Sequence, residues 1–305
     1  MSAAAGTHAA VLPRAHRRTI ELEEGRIIQH TGYEARQYVL RVTAPRTARR
    51  ATPGSFVHLQ CDPRLPMRRP LSIMRAAADE GWIEVLYKVT GIGTAALACQ
   101  SVGATISVLG PIGKGFALHP ERPRVLAIGG GVGIPPMVFL TEHLLSDSRA
   151  SWKPLVLVGS EIPFPFRARP SRIMVPAAPN EAIACMPLLD DWGVPSRLAS
   201  NAGYAGCYTG HVTELAARWL AALTPTELAE VAIYACGPTP MLAATAKLAR
   251  SYALPCQVSL EEYMACAVGG CAGCAVEVRT GQGRTMQRVC VDGPVFEAQS
   301  VYPER

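Results

Sequence analysis

Hydrophobic positions change rhythm twice along this chain. Over residues 18–116 they fall in short runs at 26–30, 38–43, 55–60, 71–75, 82–89 and 105–109, punctuated by Gly54, Gly81, Gly103 and Gly110. Such runs, with no helical period between them, predict an antiparallel β-barrel or sandwich. Near Arg124 the pattern turns continuously apolar. Val125-Leu126-Ala127-Ile128 reads as a strand buried on both faces, running into Gly129-Gly130-Gly131-Val132-Gly133 and a helix opened by Pro135 and Pro136. Strands are expected again at 155–159 and 231–236 and helices at 212–223 and 240–252, an alternating α/β arrangement. Residues 163–179, with five prolines and three arginines, read as an irregular surface insertion. Past residue 255 only short strands remain, at 275–279 and 287–291 around a Gly281-Gln282-Gly283 turn. The expected protein is multidomain: a flexible tail over 1–17, a β-barrel over 18–120, an α/β parallel-sheet domain over 121–254, and a small β-rich module over 255–305.

Composition narrows the class. With 305 residues, 49% of them hydrophobic, the chain can bury several cores. No apolar run approaches the ~20 residues of a membrane helix. The net charge of +6 is scattered among acidic residues without an aromatic-interleaved basic stripe, which argues against nucleic-acid binding. Residues 1–18 carry Arg14, Arg17 and Arg18 and no acidic residue, but lack the apolar core of a secretory signal. They read as a frayed basic tail, with a transit peptide as the alternative. Ten cysteines, four of them in ligand spacing, suggest a reducing compartment, by default the cytoplasm.

The densest chemistry is at Cys266-Ala-Val-Gly-Gly-Cys271-Ala-Gly-Cys274, followed at a distance by Cys290. Four intervening residues and then two is the plant-type spacing of a 2Fe-2S cluster. Gly269, Gly270 and Gly273 let the backbone fold tightly around an inorganic core and turn N–H groups toward sulfur. A zinc site is the competing reading, although zinc cysteines usually come as two short pairs. Cys61, Cys99, Cys185, Cys207 and Cys256 show no ligand spacing and read as fillers.

Three further stretches suit nucleotides. In Arg69-Pro70-Leu71-Ser72 a guanidinium fork matches a pyrophosphate and a nearby hydroxyl can meet a ring nitrogen; a solvated β-edge is the plain alternative. Leu86-Tyr87-Lys88 leads into Gly91-Ile92-Gly93-Thr94, which can cradle a phosphate, cap a helix, or do both. The turn Gly129–Gly133 sits where a βαβ unit holds phosphate, but Ile134 occupies the third-glycine position, so an ordinary G-x-G-x-x-G dehydrogenase is disfavoured. Cys236-Gly237-Pro238 ends a strand at the sheet's carboxyl edge, where ligands sit. No base stands beside Cys236 in the sequence, and a small residue lining a nicotinamide pocket is the better reading.

Taken together, these motifs resemble the flavin-dependent ferredoxin reductase superfamily and, within it, the electron-transfer subunits of type B dihydroorotate dehydrogenase. The likeness runs from about residue 19 to 298. It is carried most specifically by Ser259-Leu-Glu-Glu-Tyr-Met-Ala-Cys266 and Arg288-Val-Cys-Val-Asp-Gly-Pro-Val-Phe296. It implies FAD on the barrel, with Arg69, Pro70, Leu71 and Ser72 at pyrophosphate and ring, Leu86, Tyr87 and Lys88 beside it, and Gly93 and Thr94 at the phosphates. It implies NAD at Gly129, Gly130 and Gly131 and near Cys236, Gly237 and Pro238, and a 2Fe-2S cluster on Cys266, Cys271, Cys274 and Cys290. It also implies an FMN-containing dihydroorotate dehydrogenase catalytic subunit as partner, in a heterotetramer, with electrons passing from FMN through the cluster and FAD to NAD in pyrimidine biosynthesis. No catalytic acid or base is assigned. A sulfhydrogenase flavin subunit or a ferredoxin-NADP oxidoreductase would use the same parts, and a redox-sensing or zinc-stabilised interaction protein is the non-enzyme alternative. Ser200-Asn201-Ala202-Gly203 stands where that family usually has Asp-Asp-Gly, which leaves the choice between NAD and NADP open.

Overall fold

The computed structural model describes residues 19–149 and 151–304; the expected tail over 1–17 lies outside them. Six antiparallel strands close a barrel: β1 (Glu21–Tyr33), β2 (Gln37–Thr43), β3 (Phe56–Gln60), β4 (Arg69–Ala77), β5 (Trp82–Lys88) and β6 (Thr105–Ile112), in the order β1-β2-β5-β4-β3-β6. Ile27, Leu40, Val57, Leu59, Ile73 and Val108 fill it and are fully buried. β1 begins at Glu21, earlier than its apolar pattern suggested, because Glu23 occupies a buried position. Its carboxylate caps the helix Pro45–Arg50, accepting from the N–H groups of Arg46 at 2.9 Å and Thr47 at 2.7 Å and from the Thr47 hydroxyl at 2.6 Å. A buried acid that is fully hydrogen-bonded is tolerable, and it masks the strand's alternation.

The α/β half begins with β7 (Arg124–Gly130) and β8 (Leu155–Gly159); a two-residue ribbon, β9 (Arg169–Pro170) with β10 (Ala184–Cys185), lies in the connection that follows. β11 (Ser196–Ala199), β12 (Val231–Cys236) and β13 (Cys256–Ser259) continue the parallel sheet, β14 (Ala275–Thr280) and β15 (Gly283–Arg288) form a separate hairpin, and β16 (Val295–Glu297) returns antiparallel to β13. The sheet order is β11-β8-β7-β12-β13-β16, so the hairpin is inserted between two strands of the sheet.

β11, β13 and β16 were not apparent in the hydrophobic pattern. β11 and β13 carry buried polar side chains that find partners: the Ser196 hydroxyl accepts from the Met186 N–H at 3.1 Å, and the Gln257 amide brackets Ala117, accepting from its N–H at 2.9 Å and donating to its carbonyl at 3.1 Å. The second hairpin strand runs over Gly283–Arg288 rather than 287–291, so Cys290 lies in the turn beyond it. The proline-rich stretch is irregular, yet anchored: Phe164 and Val175 are buried, and Gln37 of the barrel donates to the Pro163 carbonyl at 2.7 Å. The helix Ile134–Ser146 joins the halves, Glu142 pairing with Arg75 of β4 at 2.6 Å. Among the described residues no helix is long and apolar enough to cross a membrane.

Candidate cofactor sites

Between the barrel and the segment leaving β13 lies a cleft of about 990 Å³. Arg69, Pro70, Leu71 and Ser72 form one wall, Leu86, Tyr87, Lys88 and Thr94 the adjoining one, and the 259–265 segment closes it from the other side. Arg69 is braced by its own turn, donating to the carbonyls of Met67 at 2.7 Å and Arg68 at 3.2 Å. Gly93 is where that guanidinium rests: a Cβ there would stand 2.4 Å from Arg69 Nε. The Thr94 hydroxyl caps the helix Ile92–Ala98, accepting from the N–H groups of Thr90 at 3.0 Å and Gly91 at 3.3 Å. Tyr87 is held by His30 at 2.8 Å and by stacking on Tyr38 at 5.4 Å between ring centroids. The walls are thus a braced cation, hydroxyls and an aromatic, the donor set that a flavin nucleotide's phosphates and ring require.

The second glycine turn abuts this cleft. Gly129 and Gly130 end β7, and Gly131, at φ +55°, opens to solvent. Gly133 packs on the end of β12 so closely that a Cβ would fall 2.2 Å from the Cys236 carbonyl oxygen, and Gly237, at φ +155°, lies against Gly130. The two motifs expected at the nicotinamide nucleotide therefore form one surface, and Val132 of the turn reaches the barrel cleft. Gly237 and Pro238 line a smaller adjoining hollow of about 290 Å³. Cys236 lines neither cavity. It is fully buried, its thiol donating toward Glu261 Oε1 at 3.9 Å. That acid, invisible as a neighbour in the sequence, arrives because β12 and β13 pair in parallel with Cys236 opposite Ser259. Burial, and then the Glu261 charge, push the Cys236 thiol well above its ordinary pKa, and burial likewise raises Glu261, which faces the cleft.

The four spaced cysteines come together as two pairs. Cys266 neighbours Cys271, and Cys274 neighbours Cys290. Main-chain N–H groups point at the sulfurs: Cys271 at Cys266 Sγ at 3.4 Å, Gly273 at Cys271 Sγ at 3.4 Å, and Cys290 at Cys274 Sγ at 3.5 Å. Desolvation opposes it, but these donations bring Cys266 down to about 7, whereas burial and then the neighbouring Cys274 push Cys290 up to about 12. The loop is held by Arg288, which donates to the Gly269 carbonyl at 2.9 Å and pairs with Asp292 at 3.2 Å. Gly269, at φ +80°, has Val291 where a Cβ would go. Among the described residues no three His, Cys, Asp or Glu side chains converge on a single ion. Four thiols gathered this way are the donor set that would hold a two-iron cluster. The remaining five cysteines are unpaired, and of them only Cys99 is exposed.

Sequence reasoning missed the third wall of the cleft. Leu260, Glu261, Glu262, Tyr263, Met264 and Ala265 all line it, and so does Gly273 from inside the cluster loop. The signal was the Ser259–Cys266 stretch itself, which carried the family resemblance but of which only Cys266 was given a role.

Barrel, α/β sheet and cleft define a ferredoxin reductase-like protein, here with a hairpin flanked by the four spaced cysteines inserted between two strands of its sheet. A solved NADH-dependent reduced ferredoxin-NADP oxidoreductase superposes at a TM-score of 0.71 with 25% identity, covering 91% of this chain and 89% of the other. The family model described as the iron-sulfur cluster binding domain of dihydroorotate dehydrogenase B matches residues 261–302. The dihydroorotate dehydrogenase B (NAD(+)) electron transfer subunit of Shouchella clausii (strain KSM-K16) is 31% identical over 280 residues, 90% of this chain and 96% of that one. That of Bacillus caldolyticus is 35% identical over 272 residues, 87% and 93% of the two chains. The chain belongs to the family of dihydroorotate dehydrogenase B electron transfer subunits.

Proposed function

We propose that this chain carries electrons between a separate FMN-containing dihydroorotate dehydrogenase subunit and NAD, through a 2Fe-2S cluster on Cys266, Cys271, Cys274 and Cys290 and an FAD in the barrel cleft, within a cytoplasmic heterotetramer. The observation that carries the reading is the shared wall: Gly273, between two cluster cysteines, and Met264 and Ala265, just before the first, line the same cleft as Arg69–Ser72. Bound there, a flavin can exchange hydride with a nicotinamide and single electrons with a cluster, which neither of those groups can do for the other. Arg69 would hold the pyrophosphate, Ser72 the ring, and the cap at Thr94 the phosphate end. The joined glycine turns at 129–133 and 236–238 would present the nicotinamide beside the flavin, with Glu261 at the junction. Cys271 is the exposed thiol of the four, so the cluster's outer edge is open to a partner.

The test is anaerobic purification with the neighbouring subunit, followed by flavin, iron and sulfide analysis and an assay of dihydroorotate-dependent NAD reduction. One FAD and two irons per chain are expected, with orotate formed only when the partner is present. The structural likeness to a ferredoxin-NADP oxidoreductase favours a second reading, a different donor with the same internal wiring. Which dehydrogenase co-purifies decides between them, and protein without flavin or cluster absorbance would reject both.

A further inference from the structure

Just behind the wall of the cleft lies a buried group that the described residues leave unsatisfied. His58, in the middle of β3, is 1% exposed, and neither ring nitrogen has a hydrogen-bond partner. Its direction follows from the register. Residues opposite one another in an antiparallel pair share a face. His58 stands opposite Pro70, and Phe56 opposite Ser72. Phe56, Pro70 and Ser72 line the cleft, as Arg69 and Leu71 of the alternate register also do, while on β3 itself the intervening Val57 and Leu59 fill the barrel core. His58 therefore points away from the barrel core, on the face of β3 from which Phe56 reaches the cleft, and stands just behind the cleft's lining.

Its surroundings define its chemistry. Burial, and then the charges of Arg68 and Arg69, push its pKa down to about 4, so at neutral pH the ring is uncharged, with one N–H donor and one acceptor. The Met264 backbone is near enough to act on the ring but lies outside hydrogen-bond geometry, and Met264 also lines the cleft. Buried polar groups in native interiors are almost always paired, so an imidazole left this way beside a cleft calls for a partner that arrives with the ligand. Phosphate has Arg69 to meet it. A neutral ring that both donates and accepts suits the amide edge of an isoalloxazine or a ribityl hydroxyl instead.

We infer that His58 is a further FAD-binding residue, hydrogen-bonding an uncharged polar group of the flavin where the barrel wall meets the segment leading to the cluster loop. This rests on the reading of the cleft as the FAD site. The test uses the complete chain as purified, diluted serially while flavin fluorescence reports released FAD. His58→Phe keeps the ring's bulk and removes its polar atoms. It should release FAD at roughly tenfold higher protein concentration than the wild type, the weight of one buried hydrogen bond, with the cluster's visible bands and the far-ultraviolet circular dichroism unchanged. His58→Gln, which keeps a donor and an acceptor, should restore most of the affinity. If His58→Phe does not fold, His58→Asn, polar but shorter, should show an intermediate loss. A folded His58→Phe or His58→Asn that retains FAD within twofold of the wild type overturns the inference while leaving the cleft's assignment intact. A wild-type chain that carries its cluster but binds no FAD overturns both.

Discussion

Replacing Gly93 with alanine separates the fold from the flavin site. Gly93 lies in the helix Ile92–Ala98 and outside the left-handed backbone region, so alanine costs the helix nothing there and is favoured over glycine by about 0.5–1 kcal/mol. The added methyl would, however, stand 2.4 Å from Arg69 Nε, 2.6 Å from Cζ and 2.7 Å from Nη2. All three belong to the far end of a flexible side chain, so the guanidinium moves and the backbone stays. What is displaced is the group expected on the FAD pyrophosphate. A charge-assisted hydrogen bond of that kind is worth roughly 1.5–3 kcal/mol, or about 10- to 100-fold in affinity. G93A should thus keep or slightly raise the Tm in a thermal melt of flavin-stripped protein while losing FAD affinity by about that factor in a fluorescence titration. R69A should lose a similar amount, and the double variant little more than either alone, because both act through one side chain. A G93A chain that binds FAD as tightly as the wild type, or losses that add in full in the double variant, would refute the placement of Arg69.

Other consequences are equally measurable. Cys290→Ser should abolish the cluster's visible absorbance and lower the iron content while FAD remains, since Cys290 lies away from the flavin cleft; parallel loss of FAD would show that the loop cannot fold without its metal. Gly133→Ala drives a methyl into backbone, 2.2 Å from the Cys236 carbonyl oxygen, and should destabilise the sheet by roughly 3 kcal/mol in denaturant unfolding and weaken NADH binding. For Glu23, burial raises the carboxyl, but hydrogen bonds from the Thr47 side chain and from the Arg46 and Thr47 backbone, with the Arg46 charge, hold it below the usual range. A depressed folded pKa gives stability that is present above the unfolded value and lost as the pH falls through the folded one. Glu23→Gln should therefore cost about 1–2 kcal/mol at pH 7, with the gap to the wild type closing in acid; a gap that does not change with pH contradicts this.

How much of this was legible in the sequence depended on how each residue's environment is made. The strands at 155–159 and 231–236 are apolar on both faces, and their bounds were apparent without a structure. Strands whose buried positions are polar were hidden, because Glu23, Ser196 and Gln257 find their partners in other segments, for Glu23 and Gln257 far away in sequence. The cysteine loop was legible because its spacing is local: three candidate ligands and their glycines fall within nine consecutive residues. The Cys236–Glu261 contact and the unpaired ring of His58 were not, since each exists only through strand register. The Ser200–Gly203 loop keeps nucleotide preference a matter for direct comparison of NADH and NADPH.

The central claim, that cluster, flavin and nicotinamide are wired through one chain, is tested most directly by adding NADH anaerobically to the isolated protein and following the flavin band together with the electron paramagnetic resonance of the cluster. Both should be reduced by NADH, and neither by dihydroorotate until the catalytic partner is added. Reduction of the flavin with a cluster that stays oxidised at a more favourable potential, or reduction by dihydroorotate with no partner present, would contradict it.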